Sequence, residues 1–109
     1  MSVYFNSEQK QDVLTITVFG YFDNRLSQAI AELYPLKETP KKVVVNLENT
    51  DYIDSTGLGL LIGLKKHFKC DKINFRLINC NTTIATFFEV VRFDKLFTIE
   101  RGSGLIESD

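Results

Sequence analysis

The stretch from residue 43 to residue 66 constrains this 109-residue chain more than any other. Val43-Val44-Val45-Asn46-Leu47 is a nearly continuous apolar run rich in β-branched side chains, which reads as a central strand covered on at least one face. After Glu48 to Ile53, which reads as a linker, Asp54-Ser55-Thr56-Gly57-Leu58-Gly59 opens a helix. Gly57, Gly59 and Gly63 each weaken that helix by about 1 kcal/mol relative to alanine, so packing must compensate. Leu60, Leu61, Leu64 and Phe68 supply the packing stripe, and Lys65, Lys66 and Lys69 gather where cations suit the negative end of the helix dipole. Leu58 and Ile62 lie on a different side, and Leu58 is either a partner contact or a second packing residue.

Either side of this stretch the pattern alternates between strands and helices. Leu14, Ile16 and Val18 alternate with Val13, Thr15 and Thr17 in a strand from Asp12 to Gly20, and Ser2 to Ser7 is an antiparallel edge candidate joined through a turn near Glu8 to Gln11. Gly20 to Asn24 breaks the strand. Asp23 or Asn24 then caps a helix with Leu26, Ala29, Ile30 and Leu33 at helical spacing, ending near Tyr34 ahead of Pro35. A strand over Lys72 to Ile78 precedes a helix capped by Asn81, with Ile84, Phe87, Phe88 and Val91 as its buried stripe. Phe93, Leu96, Phe97 and Ile99 suggest a last short strand. The expected fold is a small α/β domain over residues 1–100, with a mixed, mostly parallel sheet of about five strands and helices packed on it. Residues 101–109 are expected to be a mobile polar tail.

Composition excludes several function classes. Thirteen basic against fourteen acidic residues give a net charge of -1, and no Lys/Arg run exceeds two, so nothing in the sequence points to nucleic acid or an anionic membrane. The apolar run from Leu58 to Leu64 is about a third of a bilayer span, and the N-terminus lacks a basic region followed by an apolar core. A cytoplasmic protein without membrane insertion is expected. Cys70 and Cys80, without a Cys-x-x-Cys spacing or a second histidine, match neither a disulfide framework nor a zinc site, and no other cofactor is expected.

Ser55 stands where the helix begins, beside unpaired backbone N–H groups and the positive end of the dipole. Such a hydroxyl can cap the helix, take part in phosphate chemistry or act as a nucleophile. A nucleophile needs a base within hydrogen-bond reach, and the only histidine, His67, lies twelve residues along the same helix, roughly 18 Å away. The flanking Gly-x-Ser-x-Gly is also missing, so no enzyme is expected. A phosphate-binding loop lacks its Gly-Lys-Ser/Thr ending. A cap and a covalently phosphorylated serine both remain open, and spacing alone favours the cap.

Asp54-Ser55-Thr56-Gly57-Leu58-Gly59, with Gly20-Tyr21-Phe22-Asp23 upstream and Arg92-Phe93-Asp94-Lys95-Leu96-Phe97 downstream, resembles the signature of STAS domains, in particular bacterial anti-sigma factor antagonists. The likeness runs from about Val3 to Ile99. It implies that Ser55 is phosphorylated by an anti-sigma factor that is also a GHKL-type serine kinase, and dephosphorylated by a PP2C-type phosphatase. The unphosphorylated form would bind the anti-sigma factor and free the sigma factor. The same resemblance implies a role in partner recognition for Asp23, Asp54, Thr56, Gly57, Leu58 and Gly59. STAS domains also serve as scaffold subunits of transport and sensory complexes, which is the alternative. The connections 36–42 and 69–72 look short for the family, and only Leu105 and Ile106 are apolar in the tail, where many relatives carry an amphipathic helix.

Overall fold

Two strands open the fold as an antiparallel hairpin, β1 (Tyr4–Lys10) and β2 (Val13–Phe22), with Gln11 in the left-handed region at its turn. The structure, a computed structural model, describes residues 4–35 and 39–102. Strand β2 runs two residues beyond the expected break, because Gly20 takes a φ of 77° beside an irregularity in register and lets the strand continue through Tyr21 and Phe22. A 3-10 turn (Asn24–Leu26) then leads into the short helix α1 (Ser27–Ala31), which ends earlier than its apolar spacing suggested.

Strand β3 (Lys42–Asn46) lies parallel to the first half of β2. The second half is taken by β4 (Thr50–Ile53), within the segment expected to be a linker. One long strand is thus flanked by two short ones set end to end. Helix α2 (Ser55–Phe68), strand β5 (Phe75–Cys80), helix α3 (Thr82–Val90), a 3-10 turn (Phe93–Lys95) and strand β6 (Thr98–Arg101) complete the chain. The main sheet runs β1-β2-β3-β5-β6, parallel throughout except for β1.

Each new parallel strand is added on the same side, so right-handed crossovers bring the helices to one face. Burial agrees: Leu14, Ile16, Val18, Val43, Val45, Phe75 and Leu77 of the sheet are buried with Ile30, Leu61, Leu64, Ile84 and Phe88 of the helices. Thr15, Thr17, Val44, Asn46, Arg76 and Ile78, on the alternate positions, are only half-buried. The fold is therefore the expected mixed, mostly parallel α/β domain, with six strands where about five were anticipated.

The remaining boundaries move for local reasons. Asp71 accepts hydrogen bonds from the backbone and side chain of Asn74, which folds 71–74 into a turn, delays β5 to Phe75 and leaves Ile73 75% exposed. Phe93 and Phe97 do not belong to a strand. They pack with Phe75 and Phe88 in an aromatic cluster with centroid spacings of 4.9 to 5.5 Å, and only then does β6 begin. On α3 the buried stripe is Ile84, Ala85 and Phe88, with Phe87 half-buried and Val91 exposed. On α2, Leu60 is half-buried and Gly57 completes the inner stripe. The expected strand residues Ser2 and Val3, the short connection over 36–38 and the tail from 103 lie outside the described residues.

Cys70 and Cys80 are free thiols within the core. Burial pushes the Cys80 thiol up from 9.0 to about 12, so it stays protonated in the folded chain. Its contribution to stability is complete below pH 9 and is lost as the pH rises toward 12. Iodoacetamide at pH 8 should therefore leave Cys80 unmodified in the native chain and alkylate it in urea, as read by peptide mass. Equal labelling rates in both states would show that the thiol is not sealed in the core.

Candidate functional site

The serine's position is built from the end of β2 outward. Thr50, buried at the start of β4, donates its hydroxyl to the Val18 carbonyl at 2.7 Å, and the Gly20 N–H donates to Asn49 at 2.9 Å. These bonds bring β4 to the end of β2, where Phe22 and Ile53 are register partners. One residue on, the Asp54 N–H donates to the Phe22 carbonyl at 3.3 Å. Gly57 rests against the same carbonyl, since a Cβ there would stand 2.3 Å from the oxygen and 2.8 Å from Ile53 Cγ1. The first turn of α2 is thus seated directly on the last residue of β2.

That seating decides which residue caps the helix. Asp54 has extended backbone angles, and its Oδ1 accepts from the Gly57 N–H at 3.0 Å. Asp54 is therefore the cap, and Ser55 is the first helical residue. The cap reading of Ser55 is corrected accordingly: its side chain is exposed and forms no hydrogen bond among the described residues. Thr56 is exposed beside it, and Leu58 is half-buried against the core. The two glycines separate. Gly57, anticipated as partner-facing, points inward and lacks a side chain because Phe22 leaves no room. Gly59 is exposed, with nothing within 4 Å of where a Cβ would stand.

Asp23 directly follows the Phe22 carbonyl and so stands beside that first turn. Its Oδ1 accepts from the Arg25 N–H at 3.0 Å, capping the 3-10 turn, and the Arg25 guanidinium grips both carboxylate oxygens at 2.8 to 3.2 Å. These bonds hold the Asp23 carboxyl below its ordinary value of 3.8. Arg25 also lies over the Tyr21 ring at 5.4 Å, and Tyr21 meets Tyr52 edge-on at 5.7 Å. Arg25 and Tyr52 were not anticipated as site residues, and Arg25 carries no signal beyond a cation two residues after Asp23.

On the other side of Ser55 a cleft of about 470 Å³ opens between β4 and α3, lined by Tyr52, Ile53, Asp54, Ser55, Ile84 and Phe87, with Asp51 and Thr83 at hand. Asn81 ties this wall down: its Oδ1 accepts from the Ile84 N–H at 2.8 Å and its side-chain amide reaches the Thr50 carbonyl at 3.5 Å. Asp23, Asp54 and Asn81 thus cap three helical starts at the carboxyl ends of parallel strands, the edge where α/β folds place their sites. His67 is at the other end of α2, roughly 18 Å from Ser55, with Nε2 2.8 Å from the Tyr34 carbonyl and its ring stacked on Tyr34 at 4.2 Å. It cannot serve Ser55 as a base. No group of three potential metal ligands occurs among the described residues. The arrangement is suited to presenting a hydroxyl to another molecule.

Substitutions test this geometry. Asp54→Ala should cost about 1 kcal/mol by urea melts, whereas Ser55→Ala should stay within about 0.5 kcal/mol. Gly57→Ala should cost about 1–3 kcal/mol through the clash with Phe22, while Gly59→Ala should stabilise by about 0.5–1 kcal/mol. Equal effects at the two glycines would contradict the seating. Because the Asp23 value is depressed, its contribution is full above pH 3.8 and is lost as the pH falls through the lower folded value. Arg25→Gln should move the carboxyl titration of Asp23, followed by carbon NMR, back up toward 3.8.

Comparison with known proteins agrees with this architecture. The STAS domain profile matches residues 4–104. A STAS-domain containing protein of Pseudomonas aeruginosa is 33% identical over 87 residues, covering 79% of this chain and 86% of the relative. The anti-sigma-B factor antagonist of Staphylococcus aureus is 31% identical over 72 residues, covering 65% and 67%. Two solved structures share the fold. The anti-sigma factor antagonist SpoIIAA in its unphosphorylated form has a TM-score of 0.68 at 19% identity, covering 88% of this chain and 86% of that one. A sulfate transporter family protein from Wolinella succinogenes has a TM-score of 0.69 at 13% identity, covering 87% and 81%. With its mostly parallel sheet, its helices on one face and its match over nearly the whole length, the chain belongs to the STAS domain family.

Proposed function

We propose that this chain is an anti-sigma factor antagonist working as a phosphorylation-controlled binding module in the cytoplasm, with no catalysis of its own. The observation that carries the reading is the Ser55 hydroxyl, which is exposed at the first helical position and unbonded among the described residues while Asp54 performs the capping. Similarity to the anti-sigma-B factor antagonist of Staphylococcus aureus supports the choice of partner.

In this reading the unphosphorylated chain binds an anti-sigma factor that is also a GHKL-type serine kinase. Phosphorylation of Ser55 ends the complex, and a PP2C-type phosphatase restores it. The physical basis is an asymmetry between the domain and its partner. A phosphoserine carries nearly two negative charges, and the first turn of a helix tolerates them best. A partner lying on Ser55, Thr56, Leu58 and Gly59 would instead have to desolvate a dianion, which favours release. Asp23 and the Asp54 cap belong to the same recognition surface. Gly57 contributes indirectly, by letting the helix seat on Phe22.

Incubation with its cognate GHKL-type kinase and ATP should add one phosphate by intact mass, and none to Ser55→Ala. Ser55→Asp should weaken partner binding at least tenfold while changing stability by no more than about 0.5 kcal/mol. An acidic variant that unfolds would place the effect in the fold rather than the interface. The second reading, a scaffold subunit of a transport or sensory complex, is favoured by the likeness to the sulfate transporter family protein. It predicts that the chain stays unmodified by every co-encoded kinase of this type.

A further inference from the structure

The lysines are scattered in sequence, but the fold collects them. Because β2, β3, β5 and β6 are parallel and α2 runs back against them, the starts of β3 and β5 share one pole of the domain with the end of α2. Lys41 and Lys42 stand at the start of β3, Lys72 just before β5, and Lys65, Lys66 and Lys69 at the end of α2. The pole is closed by direct contacts. Cys70 Sγ lies 3.9 Å from the Lys41 carbonyl, and the Val43 N–H donates to Asn74 at 2.9 Å.

None of these six lysines forms an ion pair with a described residue, whereas Arg25, Arg76, Arg92 and Arg101 all do. Asp12, Glu32, Asp71 and Asp94 are carboxylates of the described segments that meet there; Asp71 is engaged by Asn74, and Asp94, which shares a cleft with Lys72, lies 3.9 Å from Arg92. The opposite pole carries Asp23, Glu48, Asp51 and Asp54 around Ser55, with Arg25 bound to Asp23. A chain of net charge -1 is thus strongly dipolar. Complementing the negative end of α2 accounts for Lys65, Lys66 and Lys69 but not for Lys41, Lys42 and Lys72. Among the lysines, the turn before β5 holds Ile73 out into solvent at 75% exposure.

We propose that this lysine pole is a docking surface for an anionic bilayer, with Ile73 entering the headgroup region. A polybasic patch is attracted to anionic lipid by about 1 kcal/mol per lysine, and a protruding apolar side chain adds the burial of its own surface in the headgroup region. The cations are all lysines, and the one exposed ring among them, His67, is already stacked on Tyr34 at 4.2 Å, which disfavours nucleic acid, where bidentate arginines and free stacking rings do the reading. An acidic protein segment would match the charge but leaves Ile73 unexplained. Attachment through this pole turns Ser55, about 20 Å away along α2, toward the aqueous side. The inference does not depend on phosphorylation of Ser55.

Flotation of the full chain with vesicles tests it. At 50 mM salt the chain should bind phosphatidylcholine vesicles containing 30% phosphatidylglycerol, ignore pure phosphatidylcholine and be released at 300 mM salt. Each lysine removed costs roughly fivefold, so the exposed pair Lys66→Gln and Lys72→Gln together should lower the affinity roughly 25-fold. Ile73→Ser should lower it several-fold, with urea melts confirming that the variants remain folded. Ser55→Asp should bind as the wild type does. Absence of binding to the anionic vesicles, equal binding to neutral ones, or indifference to the lysine pair would overturn the proposal. So would polyglutamate or duplex DNA binding more tightly than the vesicles and equally well to Ile73→Ser.

Discussion

The carbonyl of Phe22 is the point on which the rest of the site depends. It ends the long strand β2, takes the N–H of Asp54 and leaves no space for a side chain at Gly57. Any larger residue at 57 would lift the first turn of α2 away from the sheet. The Asp54 carboxylate would then no longer reach its capping distance, and Ser55 would lose its fixed exposure. A contact that looks purely structural thereby sets the direction of the one hydroxyl on which the proposed function rests.

Division of labour between neighbouring residues follows from that seat. Asp54 satisfies the helix start, so Ser55 need not. Asp23 is held by Arg25 and kept ionised, and Arg25 is in turn supported by the Tyr21 ring. In the proposed switch a phosphate arrives where the domain already supplies unpaired N–H groups and a favourable dipole, and the cost falls on whatever lies over it. Gly59 keeps the approach open and Gly57 keeps the helix down. Two glycines two residues apart in one motif thus serve opposite sides of the helix.

Much of this was legible in the sequence, for identifiable reasons. The Val43 to Leu47 run, the alternation in β2 and the Asn81 cap are local signals, and local signals fixed these elements. What escaped depends on partners distant in the chain. Strand β4 carries no strong periodicity of its own and exists because β2 is long enough to pair with it. The late start of β5, at Phe75 rather than Lys72, is explained by the Asp71 turn. Phe93 and Phe97 looked like strand residues because an aromatic cluster and a buried strand use the same side chains. The sequence places Ser55 at the start of the helix, where α2 begins, but only the Asp54 angles and hydrogen bond decide which residue caps. The lysine pole is illegible in sequence, since its members come from three separate segments and no run exceeds two.

The charge distribution places the acidic Ser55 edge and the basic pole at opposite ends of α2, so events at one are well screened from the other at physiological salt. The central claim is that charge at Ser55 acts on a partner and leaves the domain's own fold unchanged. Amide chemical shifts of the chain carrying a genetically encoded phosphoserine at 55, compared with the unmodified chain, test it most directly. The account predicts changes confined to the first turn of α2, the Phe22–Arg25 corner and the start of α3. Shifts spreading through β3 and β5, or broad loss of dispersion, would contradict it.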